Sequence, residues 1–347
     1  MTAHQPGNRL AAVLTAFGLH PAAVRTVGGG FSGARIWHIE TSDGQSVALR
    51  QSTATDSAEL ARRTAICRWM HFAREDACDW APQLFRPQHS TTSDRCGEFL
   101  LLQPDGLWQV ESWMPGHAVE TRPAPEQLRS ALAAVTHLHH TGRCRALQDS
   151  REFGVPQTDN LRLAAAPSPG LQRRLFIVHD LQSGALARLL ATAATDPDRE
   201  FRSLAEQLGR CLQTRLGRLA QHLEKLAPHT FTLQPVLRDL WYPHVLFSGD
   251  RVSGLIDWNA AATDHPMFDY SRLLGSWYGW EAAPLLHSLA ATTAEQQLSA
   301  VCLEASLLLS PVTWLTRRCT SPQPLSPVQP EILQRFRAVV QTAVEGG

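Results

Sequence analysis

The stretch Leu237-Arg238-Asp239-Leu240-Trp241-Tyr242-Pro243-His244-Val245-Leu246-Phe247 leads into Ser248-Gly249-Asp250, and Gly254-Leu255-Ile256-Asp257-Trp258 follows. Val245 to Phe247 is a short apolar run, Ser248-Gly249-Asp250 is a turn signal, and Val252 to Ile256 reads as the return strand. Asp239 precedes this hairpin, His244 opens it and Asp257 closes it. Such a hairpin would carry Asp239, His244 and Asp257 toward one end of a sheet. A single Asp at a strand end is ordinarily a cap or a turn residue. Two of them, separated by a hairpin and a ligand-type side chain, are the pattern phosphoryl transfer uses. One carboxylate orients the attacking hydroxyl and accepts its proton, another holds a divalent ion, and a third group completes the ion's site.

Upstream, Val24 to Gly30 reads as a strand entering the Gly-rich bend Gly28-Gly29-Gly30-Phe31-Ser32-Gly33. Arg35 to Thr41 alternates, Ser42-Asp43-Gly44 turns the chain, and Ser46 to Arg50 is the partner strand. Ala58 to Ala73 has helical spacing, and Glu98 to Leu102 and Trp108 to Trp113 read as strands. Pro115-Gly116 breaks the pattern and marks a lobe boundary. Beyond it helices dominate. Glu126 to His140 is predicted to be helical with Gly142 as its C-terminal cap, and residues 141–170 read as an irregular insertion. The clearest helix runs from about Pro197 to Lys225, with the stripe Phe201, Leu204, Leu208, Leu212, Leu216, Leu219 and Leu223. Asp196-Pro197 is its expected start. The chain therefore reads as α+β, with a β-rich lobe over 1–113 and a mainly helical lobe over 114–347.

The 347 residues suit two lobes better than one core. With 44% apolar and 18% charged residues the balance is that of a globular protein. Lys plus Arg and Asp plus Glu are both 32, so the net charge is 32 − 32 = 0, which argues against a broad nucleic-acid surface. The seven cysteines are widely spaced with no Cys-x-x-Cys pair, so free thiols are expected rather than a zinc ribbon or a disulfide framework. His137, His139 and His140 cluster on one helix without an accompanying carboxylate pattern. Met1 to Arg9 lacks a secretion pattern, and the apolar run Leu303 to Leu309 is interrupted by Glu304 and Ser306. No membrane segment and a cytoplasmic location are the expectation. Nothing in the sequence speaks to oligomeric state.

The run Asp239 to Asp269 resembles the aminoglycoside phosphotransferase and choline-kinase-like family. Its members carry His-Gly-Asp-x-x-x-x-Asn, then Ile-Asp-Trp or Ile-Asp-Phe, then Pro-x-x-Asp. Here Ile256-Asp257-Trp258 and Pro266-Met267-Phe268-Asp269 match. Trp108 to Gly116 resembles the family's hinge between lobes, Glu126 to Gly142 the helix after it, and Val47-Ala48-Leu49-Arg50 its third strand. The likeness covers roughly Val24 to Trp280.

The resemblance implies a two-lobed protein-kinase-like fold. It implies a kinase that moves the terminal phosphate of ATP, or of another nucleoside triphosphate, to a hydroxyl or amine of a small molecule, with Mg²⁺ or Mn²⁺. Asp239 would be the catalytic carboxylate, Asp257 would bind the metal, and Asp269 would tie the catalytic loop to a helix start. Gly28, Gly29, Gly30, Ser32 and Gly33 would cover the phosphates with backbone amides. Arg50 would contact phosphate. The hinge around Glu111 and Trp113 would present backbone to the adenine.

The chain is a divergent member of this pattern. His244 stands where the metal-site Asn is usual, and imidazole is a softer ligand than Mg²⁺ prefers. Leu237-Arg238 replaces His-Gly, and Arg50 replaces the nucleotide-contacting Lys. Glu59 or Glu75 would have to supply that residue's helix partner, and neither has a persuasive spacing. These substitutions motivate the alternative of a nucleotide-binding pseudokinase with a regulatory or scaffold role. A protein Ser/Thr kinase is disfavoured, because Trp258 and not Phe-Gly follows Asp257 and no Ala-Pro-Glu segment lies downstream.

Overall fold

The computed structural model describes residues 6–27, 34–52, 56–88, 98–153, 162–320, 328 and 330–345. In chain order these form α1 (Pro6–Ala16), β1 (Pro21–Val27), β2 (Arg35–Thr41), β3 (Ser46–Ser52) and α2 (Ser57–Glu75). Next come β4 (Leu100–Gln103), β5 (Gly106–Ser112), β6 (His117–Ala118), α3 (Pro125–Phe153) and β7 (Ala164–Pro167). Then follow α4 (Pro169–Asp180), α5 (Leu186–Ala193), α6 (Arg199–Leu226), β8 (Thr230–Val236), β9 (Val245–Ser248), β10 (Arg251–Leu255) and β11 (Ala262–Asp264). The chain ends with α7 (Met267–Tyr278), α8 (Ala283–Leu289), α9 (Thr293–Cys319) and α10 (Pro330–Glu345). They fall into two compact units. One comprises Met1–Val119, Ala124–Arg162 and Pro243–Ala262, the other Glu120–Pro123, Leu163–Tyr242 and Thr263–Gly347.

The first unit is built on a five-stranded sheet of order β1-β2-β3-β5-β4. Strand periodicity divides β3 between two environments. Val47 and Leu49 join Leu10, Val13, Leu14 and Phe17, together with Ile39, Trp108 and Val110, in an apolar core. Ala48 and Arg50 alternate with them and pair across the ladder with Glu111 and Gln109 of β5. That second face meets α2, where Cys67 Sγ donates to Gln109 Oε1. Asp56 caps α2 by accepting the amide of Glu59 at 2.7 Å.

A second sheet, β10-β9-β6, holds the hairpin read from the sequence. The Leu255 amide donates to Trp80 O at 2.8 Å, and the Val252 amide to Ser130 Oγ at 2.9 Å. Trp258 packs edge-on to Trp69 and donates its indole N–H to Leu255 O. These contacts fix the end of the return strand from which Asp257 projects. α3 continues eleven residues beyond the expected cap at Gly142, to Phe153. Ala146 is fully buried, so packing carries the helix through the glycine. On the same helix His137 meets Asp76 Oδ2 at 3.2 Å and lies beside Cys78 Sγ, tying the end of α2 to α3.

In the second unit the predicted stripe of α6 is buried from Phe201 to Leu223. Its N-cap is Asp198, which accepts the amides of Glu200 and Phe201. The expected cap, Asp196, is instead buried against Arg318 of α9 at 2.7 Å. A local signal chose the right region and the tertiary ion pair chose between the two aspartates. α9 is long and apolar enough to cross a membrane by composition alone, but 72% of its apolar window is buried within the protein. Glu304 within it is buried against Arg218 and His222. β7, β8 and β11 form the unit's sheet, in the order β11-β8-β7.

Candidate active site

The side chains expected to handle nucleotide and metal gather in the first unit around Asp257. This residue sits in the left-handed region at φ +60°, a conformation that costs a non-glycine residue about 1–2 kcal/mol and recurs at functional sites. Arg50 Nη1 reaches Asp257 Oδ1 at 3.5 Å, Asn259 Nδ2 donates to the same oxygen at 2.5 Å, and His244 Nε2 lies 3.7 Å from Oδ2. Burial by itself would raise the Asp257 pKa. Arg50, His244, the Asn259 hydrogen bond and Arg63 outweigh it, and hold the carboxyl below its ordinary range.

Beneath this group Glu111 is buried and accepts a hydrogen bond from Gln109 Nε2 at 2.7 Å. Desolvation pushes its pKa up, with Arg50 the main opposing influence. The Glu111 side chain thus faces the interior, and the hinge can offer a ligand only the backbone there. Trp113 is 39% exposed and stacks on His38 at 4.1 Å. Gly28, Gly29, Gly30, Ser32 and Gly33 lie outside the described residues.

Among the described residues neither Glu59 nor Glu75 of α2 is hydrogen-bonded to Arg50, and Glu75 lies beside His71. Glu59 instead binds Arg62 and Arg63 of its own helix. These two arginines reach Asn259, Arg62 by its carbonyl at 2.5 Å and Arg63 by its side-chain oxygen. Sequence reading missed Arg63 and Asn259, since neither occupies a motif position.

The donor set fits a divalent ion. The neighbours of Asp257 favour its charged form, and its Oδ2 and the His244 Nε2 are too far apart for a hydrogen bond yet close enough for bonds of about 2.0–2.2 Å to one ion. One oxygen and one imidazole nitrogen suit a borderline cation such as Mn²⁺ at least as well as Mg²⁺.

Asp239 belongs to the second unit, on the loop between β8 and β9. Arg238 before it has φ +66°, where the resembling family places glycine. Asp269, fully buried at the start of α7, accepts the amides of Leu237 at 2.8 Å and Arg238 at 2.7 Å. The Arg238 guanidinium lies 3.8 Å from buried Asp264, which also accepts a hydrogen bond from Ser168 at 2.6 Å. Burial raises the Asp264 pKa, against the pull of Ser168 and Arg238. Gly170 makes room for this carboxylate, since a Cβ there would stand 2.4 Å from Asp264 Oδ2. Asp239 Oδ1 accepts from Arg272 Nε at 3.2 Å and from its Nη2 at 3.1 Å. Arg272 lies three residues after Asp269 on α7, a helical spacing that could have singled it out.

The profile of the "Phosphotransferase enzyme family" (APH) matches residues 23–301. The chain belongs to this family. A homoserine kinase from Nitrobacter hamburgensis is 30% identical over 143 residues, which are 39% of this chain and 42% of that protein. The chain therefore matches less than half the length of that relative. The spectinomycin phosphotransferase APH(9)-Ia, solved with ADP and spectinomycin, has a TM-score of 0.63 at 10% identity, covering 99% of this chain and 98% of that one. The amicoumacin kinase hAmiN, solved with AMP-PNP, Ca²⁺ and Ami, has a TM-score of 0.54 at 12% identity, covering 99% and 94%. At these identities the likeness establishes the fold, which is the two-lobed α+β kinase-like fold expected from the sequence.

Proposed function

We propose that this protein is an ATP-dependent kinase that phosphorylates a hydroxyl or amine of a small molecule, acting in the cytoplasm. The observation that carries the reading is Asp257, on a left-handed backbone between Arg50 and His244, in a chain of this family. Asp239 would orient the acceptor and take its proton as the new O–P or N–P bond forms and the bond from the γ-phosphorus to the β–γ bridging oxygen breaks. Arg50 would contact the nucleotide phosphates, and the Gly-rich bend Gly28 to Gly33 would cover them with amides. Asp257 and His244 would hold a divalent ion, which would supply neutralisation of the phosphate charge. The backbone near Glu111 and Trp113 would receive the adenine. The partial match to a homoserine kinase makes a small amino-alcohol acid a first acceptor to try, and spectinomycin a second.

The test is ADP release from ATP with L-homoserine, spectinomycin and a wider metabolite panel, in Mg²⁺ and in Mn²⁺. Turnover that depends on an acceptor and disappears in Asp239→Ala and Asp257→Ala is the expected result. Full activity in either variant would remove the assignment. Nucleotide binding without turnover across the panel would favour the pseudokinase alternative, which rests on Arg50, Arg238 and His244.

A further inference from the structure

Asp269, Arg272 and Ser276 are spaced three and four apart on α7 and so share one face of that helix. Each grips a different part of the loop that carries Asp239. Asp269 takes the amides of Leu237 and Arg238, Arg272 takes the Asp239 carboxylate, and Ser276 Oγ accepts the Tyr242 amide at 2.9 Å. Arg272 is the member that touches the side chain proposed to do the chemistry. Its Nε and Nη2 both donate to Asp239 Oδ1, while Nη1 donates to Ser310 Oγ of α9 at 2.6 Å. The same guanidinium lies over the Trp241 ring, 5.6 Å from its centroid.

We propose that Arg272 is a positioning residue, which fixes the direction of the Asp239 carboxylate for the acceptor. The inference rests on the role given to Asp239 above. Aspartate has only two side-chain torsions, and two N–H groups directed at one of its oxygens set both. A planar fork held on a helix by a serine and an aromatic ring is a stiff support. Joining α7 to α9 takes only the Nη1 donor on Ser310. The two donors on Oδ1 serve Asp239. A carboxylate displaced by about 1 Å can lose about 100-fold in rate without loss of substrate binding.

The experiment measures ADP release from Mg-ATP, with L-homoserine and with water as acceptors, in Arg272→Gln, Arg272→Lys, Arg272→Ala and Asp239→Asn. Arg272→Gln is expected to lower kcat about 10- to 100-fold and leave KM for ATP within about two-fold. Arg272→Lys should recover part of the loss, and added guanidinium should recover part of it in Arg272→Ala. Wild-type kcat in Arg272→Gln overturns the proposal. So does a loss that neither Lys nor guanidinium restores and that follows a lowered melting temperature, because that marks a structural brace. Asp239→Asn at the wild-type rate would instead remove the role of Asp239 itself, a different failure with a different signature.

Discussion

Arg50 Nη1 lies 3.5 Å from Asp257 Oδ1, although the two residues are 207 positions apart in the chain. The contact exists because the two-residue period of β3 turns Arg50 to the α2 face, while the hairpin β9–β10 delivers Asp257 to that same face. The Arg50 side chain is 8% exposed and that of Asp257 36%, so the arginine is the buried partner. Arg50 also opposes the burial cost of Glu111. Arg50→Ala should therefore destabilise the protein by about 1.5–3 kcal/mol, chiefly by removing the charged hydrogen bond to Asp257. Arg50→Lys, which keeps the charge but not the fork, should cost about 1 kcal/mol. Urea denaturation decides it, and an Arg50→Ala variant as stable as the parent would contradict this account.

Asp269 accepts two backbone amides at the entry to the loop of Asp239. Charged acceptors of this kind contribute about 1.5–3 kcal/mol each. Asp269→Ala should cost about 3 kcal/mol or more. Asp269→Asn should be nearly as damaging, since its NH₂ would face an amide N–H and only one acceptor would remain. A well-tolerated Asn, seen as an unchanged denaturation midpoint, would show that the two bonds are not the loop's anchor.

With Asp257 and His244 holding the ion as proposed, the imidazole would set which ion the site prefers. His244→Asn replaces an imidazole nitrogen with a carbonyl oxygen, the harder donor. The ratio of turnover in Mg²⁺ to turnover in Mn²⁺ should rise several-fold in the variant. An unchanged ratio, measured with matched ion concentrations, would place His244 outside the metal's ligands.

Glu111 and Asp257 should contribute to stability with opposite dependence on pH. Burial raises the folded pKa of Glu111 above its ordinary 4.5. Its cost is absent below that value and is fully present once pH has passed the raised folded pKa. The neighbours of Asp257 lower its pKa below the ordinary 3.8. Its stabilisation is present above 3.8 and lost as pH falls through the lowered folded value. Glu111→Gln removes the first effect and retains the second. The stability of this variant relative to the parent should therefore increase from about pH 4 to pH 7. Parallel stability curves across that range would show that Glu111 does not titrate as described.

The hairpin from Val245 to Leu255, the strands of the first sheet and the buried stripe of α6 were all legible in the sequence, because strand and helix periods are local patterns. The Ile256-Asp257-Trp258 and Pro266-to-Asp269 segments were legible for the same reason, as short runs at a set spacing. Asp198 rather than Asp196 as the cap of α6 was not, since Arg318 lies 122 residues from Asp196. Nor was the passage of α3 through Gly142, which depends on the burial of Ala146.

The sequence by itself determined the fold class, the family and the stretch in which to look for chemistry, all of which follow from residue types at fixed local separations. Only the tertiary structure decided the partners. It set Arg50 and Asn259 on Asp257, placed Glu111 beneath them, and brought Arg272 to Asp239. Those pairings depend on which face of a strand or helix each side chain occupies after packing, and on hydrogen bonds between residues as much as 207 positions apart.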